Sequence, residues 1–99
     1  MIITNPTKTL DGTNGGTVSV NPTLPTIQIA VAGRATGTLT VTGRSVGSDV
    51  YEAFQPALTI DLSTERTAVI DGYALNSLSF AVSVGGDDFD VTVSQWYAN

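Results

Sequence analysis

The side chains able to do chemistry in this 99-residue chain are almost all carboxylates. There is no histidine and no cysteine, so the usual general base and the strongest side-chain nucleophile are both missing. Zinc and most transition metals lose their preferred ligands with them. What remains is a paired-carboxylate scheme drawn from Asp49, Glu52, Asp61, Glu65 and Asp71. Two carboxylates can cleave a glycosidic bond, but one must be desolvated in a deep cleft. A small domain has little volume for such a cleft, and the chain reads as a non-enzyme.

The acidic run Asp87-Asp88-Phe89-Asp90 raises a different possibility. Asp88 and Asp90 are alternate residues of a strand and point the same way, so they are candidate Ca²⁺ ligands through carboxylate oxygens. Their spacing matches no EF-hand, and neither does Asp11-Gly12-Thr13-Asn14-Gly15-Gly16. Turn chemistry accounts for aspartates at a hairpin tip without a metal. No metal and no cofactor are expected. Thr36, Thr38, Thr40 and Thr42 make a polar stripe, explained by the fitness of threonine for a solvated strand face. Tyr51 and Tyr73 are the rings best placed for a sugar platform, while Phe80 and Phe89 fall on inward rows.

Charge narrows the partners. The formal net charge is −5, with Lys8, Arg34, Arg44 and Arg66 as the only cations. Phosphate backbones and anionic membranes need clustered cations, so neither nucleic acid nor a membrane surface is an expected partner. The start, Met1 to Pro6, has no basic segment and no apolar stretch of signal-peptide length. No run approaches the ~20 apolar residues of a membrane span. The expectation is synthesis in a cytoplasm without a signal peptide.

The elements that must position any site are strands. Fifteen threonines and eleven valines, with ten glycines and four prolines between them, favour strands and turns over helices. Period-two rows run from residue 26 onward. Ile27, Ile29 and Val31 share one face, followed by Leu39 and Val41. Strands are predicted over 49–54, 57–62 and 67–70, then a long row of Leu78, Phe80, Val82 and Val84, then Phe89, Val91 and Val93. Two Gly-Arg-x-x-Gly loops, 33–37 and 43–47, are expected to bracket the strand between them. Seven or eight strands at this spacing predict an all-β fold, an antiparallel β-sandwich or small jelly roll.

Residues 1–25 differ in character from the sandwich domain of 26–99. Turn signals dominate them, and only Thr17-Val18-Ser19-Val20 reads as a strand. This predicts an extended N-terminal arm with one short strand. Mean hydropathy is +0.17, high for a domain with so thin an interior, so some apolar surface should meet another subunit or protein. Ile2 and Ile3 on the arm, and Trp96 and Tyr97 at the other terminus, are the candidate partner-binding residues.

Three stretches carry a resemblance: Gly33-Arg34-Ala35-Thr36-Gly37-Thr38-Leu39-Thr40-Val41-Thr42, Ile60-Asp61-Leu62-Ser63-Thr64-Glu65-Arg66-Thr67, and Val91-Thr92-Val93-Ser94-Gln95-Trp96. Over residues 27–96 the chain resembles small β-sandwich virion proteins of tailed bacteriophages. The resemblance implies a structural role on the particle, foremost as a capsid decoration (cement) protein stabilising the head. It also implies a homo-oligomer, for instance a trimer, and contact with the major capsid protein or another virion protein. A tail-fibre or spike module that binds host-surface glycan is the alternative.

Overall fold

Alternation of β-branched with small polar residues resolves into nine strands among the described residues of the computed structural model. It describes residues 2–33 and 36–97, with Gln55 described in its backbone only. Met1 of the expected arm, Arg34 and Ala35 of the first Gly-Arg loop, and Ala98 and Asn99 lie outside the described residues. The strands are β1 (Ile2–Thr4), β2 (Lys8–Leu10), β3 (Gly16–Ser19), β4 (Thr26–Ala32), β5 (Thr38–Ser45), β6 (Glu52–Asp61), β7 (Thr67–Ile70), β8 (Leu75–Val82) and β9 (Phe89–Trp96).

They form two antiparallel sheets, and the fold is a β-sandwich. In the first sheet β9 pairs with β4 and β4 with β7, while β1 and β2 share the other edge of β9. The second sheet runs β3-β8-β5-β6. The inward rows make one core: Ile27, Ile29, Val31, Val91, Val93 and Phe89 from the first sheet meet Leu39, Val41, Ile60, Leu78 and Phe80 from the second. Each is at most 4 % exposed, so the period-two reading gives the correct faces.

The segment read as an extended arm with one short strand instead carries three strands, each paired to the sandwich. β1 and β2 cap the edge of β9, and β3 caps the edge of β8. An edge left bare presents a row of unpaired N–H and C=O groups, which these short strands cover. Their low apolar density has a simple cause. A strand of three or four residues at an edge turns one side chain inward, here Leu10 from β2 and Val18 from β3.

Other boundaries moved as well. The two strands expected at 49–54 and 57–62 are one strand, β6, with a large irregularity in its pairing. Thr42 opposes Ala53 and Val41 opposes Leu58, so residues 54–57 bulge out of the ladder. Gly43 does not close a strand but lies inside β5, where a Cβ would sit 2.8 Å from Phe54 Cζ and 3.0 Å from a Leu75 methyl. That absence of a side chain admits Phe54 to the core. Val84, expected inward, is exposed, because β8 ends at Val82.

Candidate interaction surface

The two chain termini meet at one end of the first sheet. Antiparallel pairing of β1 with β9 sets Ile2 opposite Trp96, Ile3 opposite Gln95 and Thr4 opposite Ser94. Inward positions of β9 are Phe89, Val91, Val93 and Gln95, so Trp96 and Ile2 share the outer face. Ile2 is 68 % exposed and Tyr97, just past the strand, 64 %. Ile3 falls on the inner side, yet at the open edge it is only partly covered. The four residues singled out for partner binding, ninety-odd positions apart, are therefore neighbours.

Beneath this end lies a residue that the sequence reading passed over. Gln95 occupies the last inward slot of β9 and has no exposed surface. Its amide is fully engaged by the loop before β4. Oε1 accepts the Asn21 N–H at 2.8 Å, and Nε2 donates to Asn21 O at 2.8 Å and Leu24 O at 3.1 Å. Leu24 is buried alongside. A polar residue continuing an apolar period-two row is the signal that could have found it, because a buried amide must be bonded. The patch thus rests on a rigid base.

Polar ties decorate the same edge. Thr4 Oγ1 lies 3.1 Å from Ser94 Oγ, Thr7 Oγ1 2.8 Å from Thr92 Oγ1, and the Thr9 hydroxyl donates to Asp90 Oδ1. The Asn5 N–H donates to Val93 O at 2.9 Å, but the buried Asn5 Nδ2 has no partner.

The two candidate Ca²⁺ ligands each accept a hydrogen bond from a different part of the chain. Asp90 is engaged by Thr9, while Asp88 Oδ1 accepts the Gly12 N–H at 2.9 Å and holds the turn after β2. Among the described residues no group of three or more His, Cys, Asp or Glu could hold an ion. Two of the five paired-carboxylate candidates, Asp61 and Asp71, are likewise occupied with structure. Asp61 accepts the hydroxyl and then the backbone N–H of Ser63, which lowers its pKa, and Asp71 accepts the Thr26 hydroxyl at 2.7 Å. Backbone N–H groups of Thr13 and Asn14 lower the pKa of Asp11 in the same way.

The rings do not form a common platform. Tyr51 lies over the outer face of the second sheet, its hydroxyl 2.8 Å from Ser77 Oγ and its ring 5.9 Å from the Arg44 guanidinium carbon. Tyr73 packs edge-on against Phe54, centroids 4.8 Å apart, in a groove of about 270 Å³. Leu58, Val69, Ile70 and Asp71 also line that groove, between the free edges of β6 and β7.

No protein-family model and no curated protein sequence matches the chain. Solved structures do. The SPBc2 prophage-derived protein YomS superposes with a TM-score of 0.61 at 13 % identity, over 96 % of this chain and 94 % of that one. Pseudomonas aeruginosa AlgX gives 0.58 at 11 % identity, over 94 % of this chain but 26 % of the larger protein. A protein of the Bacillus endospore appendages, described as disulfide-linked pili, gives 0.43 at 18 %. At these identities the likeness to the first two concerns the fold alone: an all-β sandwich, shared over nearly its whole length with a prophage-derived protein.

Proposed function

We propose that the chain is a structural protein of a phage particle, a capsid decoration protein that binds the head and stabilises it. The observation that carries this reading is the meeting of Ile2, Ile3, Trp96 and Tyr97 on one end of the sandwich. Exposed apolar residues on a rigid base suit a protein partner, whether a second copy or the major capsid protein. The likeness of fold to a prophage-derived protein supports the same assignment. In this reading the protein is not an enzyme, takes no cofactor, binds neither nucleic acid nor membrane, and is made in the host cytoplasm before joining the virion. Many weak contacts repeated over a shell sum to firm attachment.

The test is binding of purified protein to expanded heads, wild type against Ile2→Ser with Tyr97→Ser. Both side chains are solvent-facing, so the double variant should melt close to wild type while losing most of its head binding. Undiminished binding would remove the patch from the interface. Glycan-array hits for the isolated protein, with no head binding, would favour the fibre or spike module instead.

A further inference from the structure

The slot that β1 occupies on β9 is better built than its occupant. On the slot side, Gln95 is fixed by three hydrogen bonds to the 21–24 loop, and β9 is paired along its other edge to β4 from Thr26 to Ala32. None of those interactions involves β1. On the occupant side, all three residues of β1 are exposed, and the buried core begins only at Leu10 of β2. The linker Asn5-Pro6-Thr7 lies between a weakly held strand and a well-anchored one. Its Asn5 side-chain Nδ2 is buried without a partner while β1 lies in place, although the Asn5 backbone N–H is bonded to Val93 O. Movement of the linker would return that side-chain amide to water.

We infer that β1 is an exchangeable strand: it leaves its own β9 and pairs with the same slot on a second copy of this chain. The partner segment is specified by the sequence itself, since residues 2–4 are the peptide known to fit, with Ile2 against Trp96 and Thr4 against Ser94. From Thr4 to Lys8 the chain spans at most ~14 Å, of which ~10 Å runs along β9 between Ser94 and Val91, leaving ~10 Å sideways. Neighbouring strands lie ~4.8 Å apart, so β1 can shift by one or two strand positions and no more. The two copies must therefore stand edge to edge about a local two-fold axis. Their first sheets then join through the two exchanged strands lying side by side. Within one chain the short tether gives an effective concentration in the millimolar range, so the closed form holds in dilute solution. Copies crowded on a shared surface reach the same range, and exchange then competes.

This rests on the assembly reading of the same residues, but its test needs no particle. The chain has no cysteine, so introduced thiols are the only ones. Thr4→Cys and Ser94→Cys, purified separately and mixed under mild oxidation, cannot close this pair within one chain. Directly opposed strand positions lie within disulfide reach. The mixed disulfide should exceed that of Thr4→Cys with Val84→Cys several-fold at about 1 mM, and should fade on dilution to about 10 µM. The double variant T4C/S94C, oxidised dilute, should close internally and stay monomeric. Mixed yield no greater than the Val84 control, with the double variant closing normally, overturns exchange. Failure of the double variant to close overturns the register on which the inference stands. The pair Ile2→Cys and Trp96→Cys, also in register, repeats the experiment should either first variant misfold. Loss of head binding by the patch variant, with or without exchange, bears only on the decoration reading.

Discussion

Removing the amide of Gln95 probes the base of the terminal patch. Gln95→Ala abolishes three hydrogen bonds inside the fold and opens a void at a position with no exposed surface. At about 1 kcal/mol per bond, and with the cavity added, the loss should be about 3–4 kcal/mol. A domain of this size holds about 5–15 kcal/mol in all. At roughly 4–8 °C per kcal/mol, the melting temperature should fall by roughly 12–30 °C. Calorimetry and urea titration both read this directly. Gln95→Glu makes the reasoning sharper, because it keeps the size and the acceptor facing the Asn21 N–H. It replaces the donor with an oxygen facing two carbonyls. Burial and those carbonyls raise the folded-state pKa of the new carboxyl above its unfolded value of about 4.3. The variant should therefore approach wild-type stability below that unfolded value and lose stability as pH rises through the folded one. A Gln95→Ala loss under about 1 kcal/mol, or a Gln95→Glu deficit that ignores pH, would refute the account of a fully engaged buried amide.

Three further outcomes follow from close approach and turn electrostatics. Gly43→Ala should cost about 1–3 kcal/mol by urea titration, since its Cβ meets Phe54 and Leu75 and the core must shift to admit it. Gly12→Ala should loosen the 85–90 loop, visible as faster amide exchange there, because its Cβ would fall 2.1 Å from the carbonyl oxygen of Asp87. Asp11 and Asp61 have lowered pKa values through N–H and hydroxyl donors in their turns. Their contribution is present above the unfolded value near 3.8 and fades as pH falls through the folded ones. The double variant D11N/D61N should accordingly show a shallower decline in melting temperature below about pH 4 than wild type.

The sandwich was legible because its strands are two-sided. Ile27, Ile29, Val31, Phe89, Val91 and Val93 alternate with polar residues, and a period of two has only one way to face a core. The irregular positions escaped that reading for the same reason. Gly43 resembles a loop glycine until Phe54 is known to need its space, and β6 looks like two strands until its bulge is seen to leave pairing on both sides intact.

The candidate site divides along similar lines. Residue types alone exposed the lack of histidine and cysteine and marked Ile2, Ile3, Trp96 and Tyr97 as apolar residues without an evident place in a core. Only the tertiary structure could bring them together, because strand pairing between residues ninety positions apart leaves no local trace in either segment. It also turned the expected free arm into edge strands. A segment too poor in apolar residues to fold alone can still satisfy its backbone on a neighbour, and the nearest neighbours were the chain's own last two strands, β9 for β1 and β2 and β8 for β3.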